Sequence, residues 1–188
     1  MMSPAAGQTT SLKLRISPPT GSILPGRGFY QLEEDSLYVQ VAPFSNSYRF
    51  FSYLESENVR FDLDREGRLL FVEVSCPRRH WRVVEDMNFP LHPHEADIRW
   101  LSFRSQMADP ELITNLSRTS LVVRFAPASK SKIYRLAESV LLEVSNDSTL
   151  ASVWITDIVD DLAGQQIAAY RRRFRSQCEK QPDPTISY

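Results

Sequence analysis

The chain has 188 residues, 42% of them hydrophobic and 24% charged, which is typical of one globular domain and excludes a wholly disordered or collagen-like chain. Its 22 basic and 23 acidic side chains give a net charge of −1, so we expect no strong nonspecific attraction to nucleic acid or anionic membranes. Residues 1–10 contain no signal-peptide pattern, and no apolar run approaches the roughly 20 residues that span a bilayer. Cys76 and Cys178 have no metal-ligand spacing, which predicts a cytoplasmic protein with free thiols.

The chain contains an internal repeat. Residues 36–47 (SLYVQVAPFSNS) and 120–131 (SLVVRFAPASKS) are identical at seven of twelve aligned positions. After one deleted residue the match continues, with Val59 aligned to Leu142. The sequence therefore predicts two copies of one unit. The copies are residues 30–74 and 118–158.

Each copy has the period-two alternation of β-strands. In the first copy the alternating runs are 37–41, 59–63 and 70–74, with turn residues between them. We therefore predict a three-stranded antiparallel meander in each copy, and an approximate twofold axis between the copies. Both copies are expected to belong to a single domain over residues 11–180. The flexible ends are predicted to be residues 1–10 and 181–188.

The connector between the copies, residues 75–117, is too rich in large apolar side chains to be a linker. Its segment 108–116 is predicted to be a short helix, because Asp109 suits the N-cap and Pro110 suits the first helical position. With this helix, the expected fold class is α+β with mostly antiparallel sheet.

A C-terminal helix is predicted over residues 157–180, since acidic residues begin this segment and arginines end it. Gly164 is expected to weaken the helix by about 1 kcal/mol relative to alanine. The predicted apolar face consists of Ile158, Leu162, Ala169 and Tyr170.

The third strand of the first copy is apolar on both faces. By alternation, Leu69 and Phe71 lie on the face opposite Leu70 and Val72, so a second cover is needed. Both the C-terminal helix and a second copy of the chain are candidate covers. Because the helical face is modest and interrupted by Gly164, we predict a homo-oligomer, specifically a dimer through this sheet.

A motif runs through the first copy: Tyr30-x4-Asp35-x-Leu37-Tyr38, then Asp62-x-Asp64-x-x-Gly67-Arg68, then a strand that contains Glu73. It resembles a family of small bacterial domains of unknown function, each a single short meander. The resemblance covers about residues 30–74, a quarter of the chain. It implies the meander fold and carries no known chemistry. Phe71 stands where that family usually has glycine, which leaves the packing of the strand's outer face open.

Two segments have metal-like spacing. Residues 62–73 (DLDREGRLLFVE) nearly fit an EF-hand calcium loop, but strand-like flanks favour a hairpin turn with Gly67 at positive φ. His92, His94, Glu95 and Asp97 form a second cluster, which we interpret as a polar loop. The sequence contains no nucleophile elbow and no phosphate-binding glycine loop. We therefore predict no catalytic residues, no metal and no cofactor.

Two short runs combine arginines with aromatic residues, as protein interfaces do: RRHWR at 78–82 and YRRRFR at 170–175. Alternatively, these charges protect a strand edge and complement a helix C-terminus. The candidate binding residues are Arg79, His80, Trp81 and Arg172.

The main functional hypothesis is a non-enzymatic interaction module, oligomeric or bound to a protein partner. The alternative hypothesis is an enzyme or small-ligand-binding protein with a site at the junction of the two copies. In that case the acidic turn at 64–67 or the loop of His92 and His94 would supply the polar groups.

Overall fold

The structure is a computed structural model that describes residues 11–43, 45, 47–127 and 130–179, with only the backbone for 174–179. The predicted flexible ends, 1–10 and 181–188, lie outside the described residues. Among the described residues, no helix is both long enough and apolar enough to cross a membrane.

Strands dominate the described part of the chain. They are β1 (Leu14–Ser17), β2 (Arg27–Gln31), β3 (Ser36–Gln40), β4 (Phe50–Glu55), β5 (Val59–Asp64), β6 (Leu69–Val74), β7 (Arg82–Val83), β8 (His94–Glu95), β9 (Asp97–Trp100), β10 (Ser105–Gln106), β11 (Glu111–Thr114), β12 (Leu121–Arg124), β13 (Ser131–Ala137), β14 (Val140–Ser145), β15 (Leu150–Ile155) and β16 (Val159–Asp160). A short 3₁₀ helix covers Arg78–His80, and α1 covers Gln165–Glu179.

Two seven-stranded sheets and one two-stranded ribbon contain these strands. The order is β10-β4-β5-β6-β3-β2-β16 in the first sheet and β7-β11-β12-β15-β14-β13-β8 in the second, and β1 pairs with β9. The inner pairings are antiparallel, whereas the short strands at the four sheet edges pair in parallel. The predicted sheet-rich α+β class is confirmed.

The predicted three-stranded meander is wrong. In the structure the two halves are residues 27–74 and 111–155 with five strands each, so β11 belongs to the second half rather than to the predicted connector. In the first half β3 pairs with β6, so the first and last predicted strands are neighbours. In the second half β12 pairs with β15 in the same way. The two additional strands of the first half, β2 and β4, lack simple alternation, because β2 contains Gly28 and β4 has an irregular register between Phe50 and Ser52.

The strand pairings also shift the alignment of the two halves. Val59 pairs with Val74 in the first sheet, and Val140 pairs with Ile155 in the second. By position in the sheet, Val59 therefore corresponds to Val140 rather than to Leu142, which the sequence alignment had matched to it.

The core lies between the two sheets. One continuous cluster contains inward-facing side chains from both, and the Phe61 ring packs edge-on against Trp100 and Phe125 with centroids 6.0 and 5.9 Å away. The sheets approach closely at Gly28, where an added Cβ would lie 3.4 Å from the Ile155 side chain.

The edge strands cross between the halves. β7 and β8 follow the first half along the chain but complete the second sheet. β16 follows the second half but completes the first sheet, beside β2. β10, from the connector, pairs with β4 at the other edge of the first sheet. In the described structure neither half therefore supplies its own edge strands.

The predicted connector helix at 108–116 is wrong. Residues 111–114 form β11, which pairs along its whole length with β12. Asp109 does not cap a helix; its Oδ1 accepts the backbone N–H of Glu57 at 2.9 Å. Sheet pairing outweighs the local capping pattern, as tertiary structure often does for short segments.

The C-terminal helix is confirmed but starts later than predicted, because residues 159–160 are extended as β16. Gly164 precedes α1 with φ 62°, and its carbonyl accepts the N–H of Ala168, so it does not interrupt the helix. Of the predicted apolar face, Ile158 is buried outside the helix and Leu162 is 77% exposed. Among the α1 side chains that the structure describes, the buried one is instead Ile167.

Candidate functional site

The turn between β2 and β3 carries three consecutive acidic residues, Glu33, Glu34 and Asp35. The Oε1 atom of Gln31 accepts the backbone N–H groups of Glu33 and Glu34 at 2.5 and 3.0 Å. Asp35 has φ 51°, a conformation that aspartate tolerates better than most residues. These bonds fix the turn, so Glu34 and Asp35 are held at the end of the first sheet.

The 3₁₀ helix contacts this turn through Asp35. Arg79 forms an ion pair with Asp35 at 2.8 Å, and the Tyr30 hydroxyl donates to the same carboxylate at 3.0 Å. The bond from Arg79 is the main cause that holds the pKa of Asp35 below its ordinary value. The carboxylate is therefore ionised at neutral pH and orients the Arg79 guanidinium.

Arg78 and Trp81 surround the buried Tyr30. The Arg78 guanidinium lies 4.3 Å from the centre of the Tyr30 ring and forms an ion pair with Asp160 at 2.8 Å. The Trp81 ring meets Tyr30 edge-on at 5.8 Å, and its Nε1 donates to the carbonyl of Cys76 at 3.1 Å.

Trp81 is only 2% exposed, so its predicted place on the binding surface is wrong. A large aromatic ring is buried where a hydrogen-bond partner is available for its N–H, and Trp81 meets that condition inside the core. Cys76, beside it, is a free thiol, and burial raises its pKa.

α1 contacts the same turn through Glu34. Arg171 donates to both carboxylate oxygens of Glu34 at 2.7 and 2.6 Å, and to the Tyr38 hydroxyl at 3.0 Å. These hydrogen bonds lower the pKa of Glu34, with Arg171 as the largest cause, whereas burial raises the pKa of Tyr38. A bidentate arginine–carboxylate pair of this kind fixes direction as well as distance.

The rest of α1 covers the outer face of the first sheet. The Tyr170 ring stacks on Phe71 with centroids 3.7 Å apart and planes 15° apart. Ile167 and Tyr38 are buried in the same small cluster. The face that motivated the predicted dimer is therefore covered by the chain's own helix, and the choice of a second copy as its cover is wrong.

A register irregularity explains which residues face α1. Leu63 pairs with Leu69 and Asp62 pairs with Phe71, so Leu70 is the extra residue. Leu69 therefore joins the main core, while Leu70 and Phe71 both pack in the cluster under the helix. Strict alternation had placed Leu69 beside Phe71 and Leu70 in the core.

The two arginine runs, which are distant in sequence, thus meet at the turn that contains Glu33, Glu34 and Asp35. We call this surface the arginine end; it consists of Gln31–Asp35, Arg78–His80, and Arg171 with Arg172. Arg79, His80 and Arg172 are exposed there, and their role in binding stays a prediction. The sequence analysis missed Tyr30, Glu34 and Asp35 as partners of the arginines. The run Glu33-Glu34-Asp35 between two apolar segments was the available signal.

A groove of about 250 Å³ separates the turn from the first half of α1. Its lining includes both charged and apolar side chains. The lining residues are Gln31, Glu34, Gly164, Ile167, Ala168, Arg171 and Arg172.

A second cleft, of about 280 Å³, lies where the halves meet. Arg68 and Leu69 from the first half, Arg135 and Leu136 from the second, and Glu95 to Ile98 from the connector are among its lining residues. Arg68 is already paired with Glu66, and Asp97 with Arg99. Of the polar groups expected at a junction site, His92 and His94 are not among the lining residues.

The segment that resembles a calcium loop is a hairpin turn between β5 and β6, as predicted. The Oδ1 atom of Asp64 accepts the N–H groups of Glu66 and Arg68 at 2.9 and 2.8 Å, and Gly67 has φ 80°. Asp62 faces away from this turn and is bonded to Arg60 at 2.8 Å. The described residues contain no group of three or more metal-ligating side chains.

No protein-family model matches the chain, and no curated protein sequence is significantly similar to it. The function is therefore argued from the geometry of the site itself.

Proposed function

We propose that the protein is a non-enzymatic interaction module that binds a protein partner through the arginine end. The observation that carries the proposal is the convergence of two arginine runs on one turn, with Arg79, His80 and Arg172 exposed. Arginine is enriched at protein interfaces because its planar guanidinium makes several directed hydrogen bonds. Ion pairing to Asp35 orients Arg79 before binding, which reduces the entropy lost on association.

The electrostatics of the arginine end support binding rather than acid–base catalysis. The pKa values of Glu34 and Asp35 are both lowered by their arginine partners. A general base needs a pKa close to the working pH, and these carboxylates are shifted in the opposite direction. Their role in the proposal is to hold the arginines.

The proposal includes an origin by duplication, with the two halves related by an approximate twofold axis. The seven identities between 36–47 and 120–131 and the equal strand order of the two sheets support it. The resemblance to small bacterial domains remains a prediction that is based on the motif in residues 30–74. A cytoplasmic location remains a prediction that is based on the spacing of Cys76 and Cys178. Self-association of the chain also remains a proposal, but through a surface other than the sheet face that α1 covers.

A charge-reversal experiment tests the partner-binding function. The chain is used as bait in an extract of the source cells, and any enriched protein is purified and titrated against wild type by calorimetry. The double variant Arg79→Glu/Arg172→Glu should bind that protein about tenfold more weakly or worse. The matched control Arg15→Glu/Arg65→Glu reverses two exposed arginines elsewhere and should bind within about twofold of wild type.

Two outcomes would contradict the proposed function: no protein enriched over an empty matrix, or equal binding by both double variants. Circular dichroism and thermal melting of each variant check that the fold is retained.

The junction cleft supports a second candidate function, binding of a small ligand. Arg135 and Glu95 line it and are neighbours in the pairing of β13 with β8, yet neither forms an ion pair with a described residue. Opposite unpaired charges in one cleft suit a small zwitterion. A thermal-shift screen of the twenty amino acids should then give a rise of about 2 °C or more with at least one of them, lost in Arg135→Gln. No rise with any of them would contradict this candidate.

A further inference from the structure

An amide donor with no acceptor among the described residues lies in the groove beside α1. Gln31 is 7% exposed, and its Oε1 is occupied by the N–H groups of Glu33 and Glu34. This fixes the carboxamide so that Nε2 faces Gly164, where an added Cβ would lie 3.3 Å from it. Nε2 forms no hydrogen bond with any described residue, and it is not fully buried. It is therefore open to the groove.

Arg172 and the N-terminal end of α1 border the groove that this donor faces. Arg172 lines the groove, is exposed, and has no ion pair within the described part of the chain. The first turn of α1 also borders the groove and contains no acidic residue, so the positive end of the helix dipole adds to the field. Just before the helix, the Asp161 carboxylate accepts the N–H of Ile167 at 3.2 Å, and the Asp161 carbonyl accepts the N–H of Gly164 at 3.2 Å.

The balance of charges favours a singly charged anion. Arg171 is paired with Glu34, and the Asp161 carboxylate at the start of α1 accepts the N–H of Ile167, so Arg172 brings the charge that no described residue pairs. A carboxylate would neutralise Arg172, whereas a phosphate dianion would add repulsion from Glu34 and Asp161. The volume of about 250 Å³ and the apolar Ile167 suit the end of an acidic side chain with its methylene groups.

We propose that this groove binds a carboxylate side chain from an acidic segment of the protein partner. In this arrangement Arg172 forms an ion pair with the carboxylate, and Gln31 Nε2 donates a hydrogen bond to it. The inference rests on the proposed function, because it identifies the chemistry that the arginine end recognises.

The test uses the full chain, labelled with ¹⁵N, and the blocked peptide acetyl-Gly-Glu-Glu-Glu-Gly-amide. The side-chain amide resonances of Gln31 should shift and saturate with peptide, and the matching glutamine peptide should leave them unchanged. Arg172→Gln should weaken the peptide affinity about tenfold, since it removes one charge-assisted hydrogen bond. The control Arg15→Gln, which alters an exposed arginine on β1, should change it by less than about twofold.

Gln31→Glu is the sharper variant. It keeps an oxygen for the Glu33 and Glu34 N–H groups but replaces the free donor by an acceptor, so the turn should fold and peptide binding should disappear. If the Gln31 resonances do not change at about 20 millimolar peptide, the inference is overturned, because weaker binding than this would contribute little to a protein interface. A larger and saturable response to sodium phosphate at equal ionic strength would overturn the choice of a carboxylate.

These outcomes separate the two proposals. If the peptide fails but Arg79→Glu/Arg172→Glu still loses the purified partner, the carboxylate assignment is wrong and the interaction function stands. If the partner binds that double variant as well as wild type, the interaction function is wrong too.

Discussion

The outer faces of the two sheets carry a carboxylate at the same position but differ in what surrounds it. In the first sheet Asp62 on β5 pairs with Phe71, and in the second Glu143 on β14 pairs with Ser152. Asp62 lies under α1 and is bonded to Arg60 and Tyr170, whereas Glu143 accepts the hydroxyls of Ser131 and Ser152 at 2.8 and 2.6 Å.

The covers of the two faces differ accordingly. Phe71 presents a ring on which Tyr170 of α1 stacks, while Ser152 presents a hydroxyl. On the second sheet, the Trp154 ring is met by Phe89 of the irregular connector at 5.8 Å. Two halves with equal strand order thus carry different covers: a ring opposite the acid stacks under a helix in the first sheet, and a serine opposite the acid bonds it in the second.

The largest effect is expected at Phe71. Replacing Phe71 with alanine removes a ring that is 4% exposed and stacked on Tyr170, so the free energy of unfolding should fall by about 3 kcal/mol. At the corresponding position, Ser152→Ala should lower it by only about 1 kcal/mol through lost hydrogen bonds. Denaturation in guanidinium chloride measures both. A loss below about 1 kcal/mol for Phe71→Ala would show that α1 is not bound to the sheet in solution.

The next effect concerns pH. Burial raises the pKa of Asp62 above its ordinary value of 3.8, so the folded state binds this proton more tightly than the unfolded state does. Wild type should therefore lose stability from this group as the pH rises from about 4 through the raised pKa. Asp62→Asn lacks this loss. In unfolding curves at several pH values, the free energy of unfolding of the variant relative to wild type should therefore increase as the pH rises. A constant difference between the two proteins would contradict the prediction.

The smallest effect is expected at the ion pair that ties α1 to the turn. Glu34→Gln should lower the free energy of unfolding by about 0.5–1 kcal/mol, because both partners are partly exposed. Hydrogen exchange should become faster at the amides of Ile167 and Ala168. The control Glu111→Gln, which breaks the exposed pair with Arg82 in the second sheet, should leave exchange in α1 unchanged. Equal acceleration by both variants would mean that Glu34 does not hold the helix.

The sequence predicted the strands with regular alternation but not their neighbours. The runs at 37–41, 59–63 and 70–74 correspond to β3, β5 and β6. Alternation reports which face is buried and contains no information on which strand lies beside which. The segment at 111–114 illustrates the same limit, because Asp109 and Pro110 favour a helix locally while β12 offers four residues of pairing.

For the site, the sequence indicated the arginines but not what they bind. Composition drew attention to Arg79 and Arg172, which are exposed. Their surroundings depend on contacts across 44 residues, from Arg79 to Asp35, and across 137 residues, from Arg171 to Glu34. Only the folded sheet brings these groups together, so local patterns could not show that the arginines bind Glu34 and Asp35 or that a groove lies beside them.

The exchange of edge strands has a consequence for synthesis on the ribosome. The edge of β2 is closed by β16, which is made roughly 85 residues after β6, or about 4–17 s later at usual elongation rates. During that interval the nascent first sheet exposes the unpaired backbone of β2 and the rings that α1 later covers. Open strands and apolar faces are the features that chaperones bind and that nucleate aggregation. We therefore expect the N-terminal half to expose this edge and these rings until α1 has emerged.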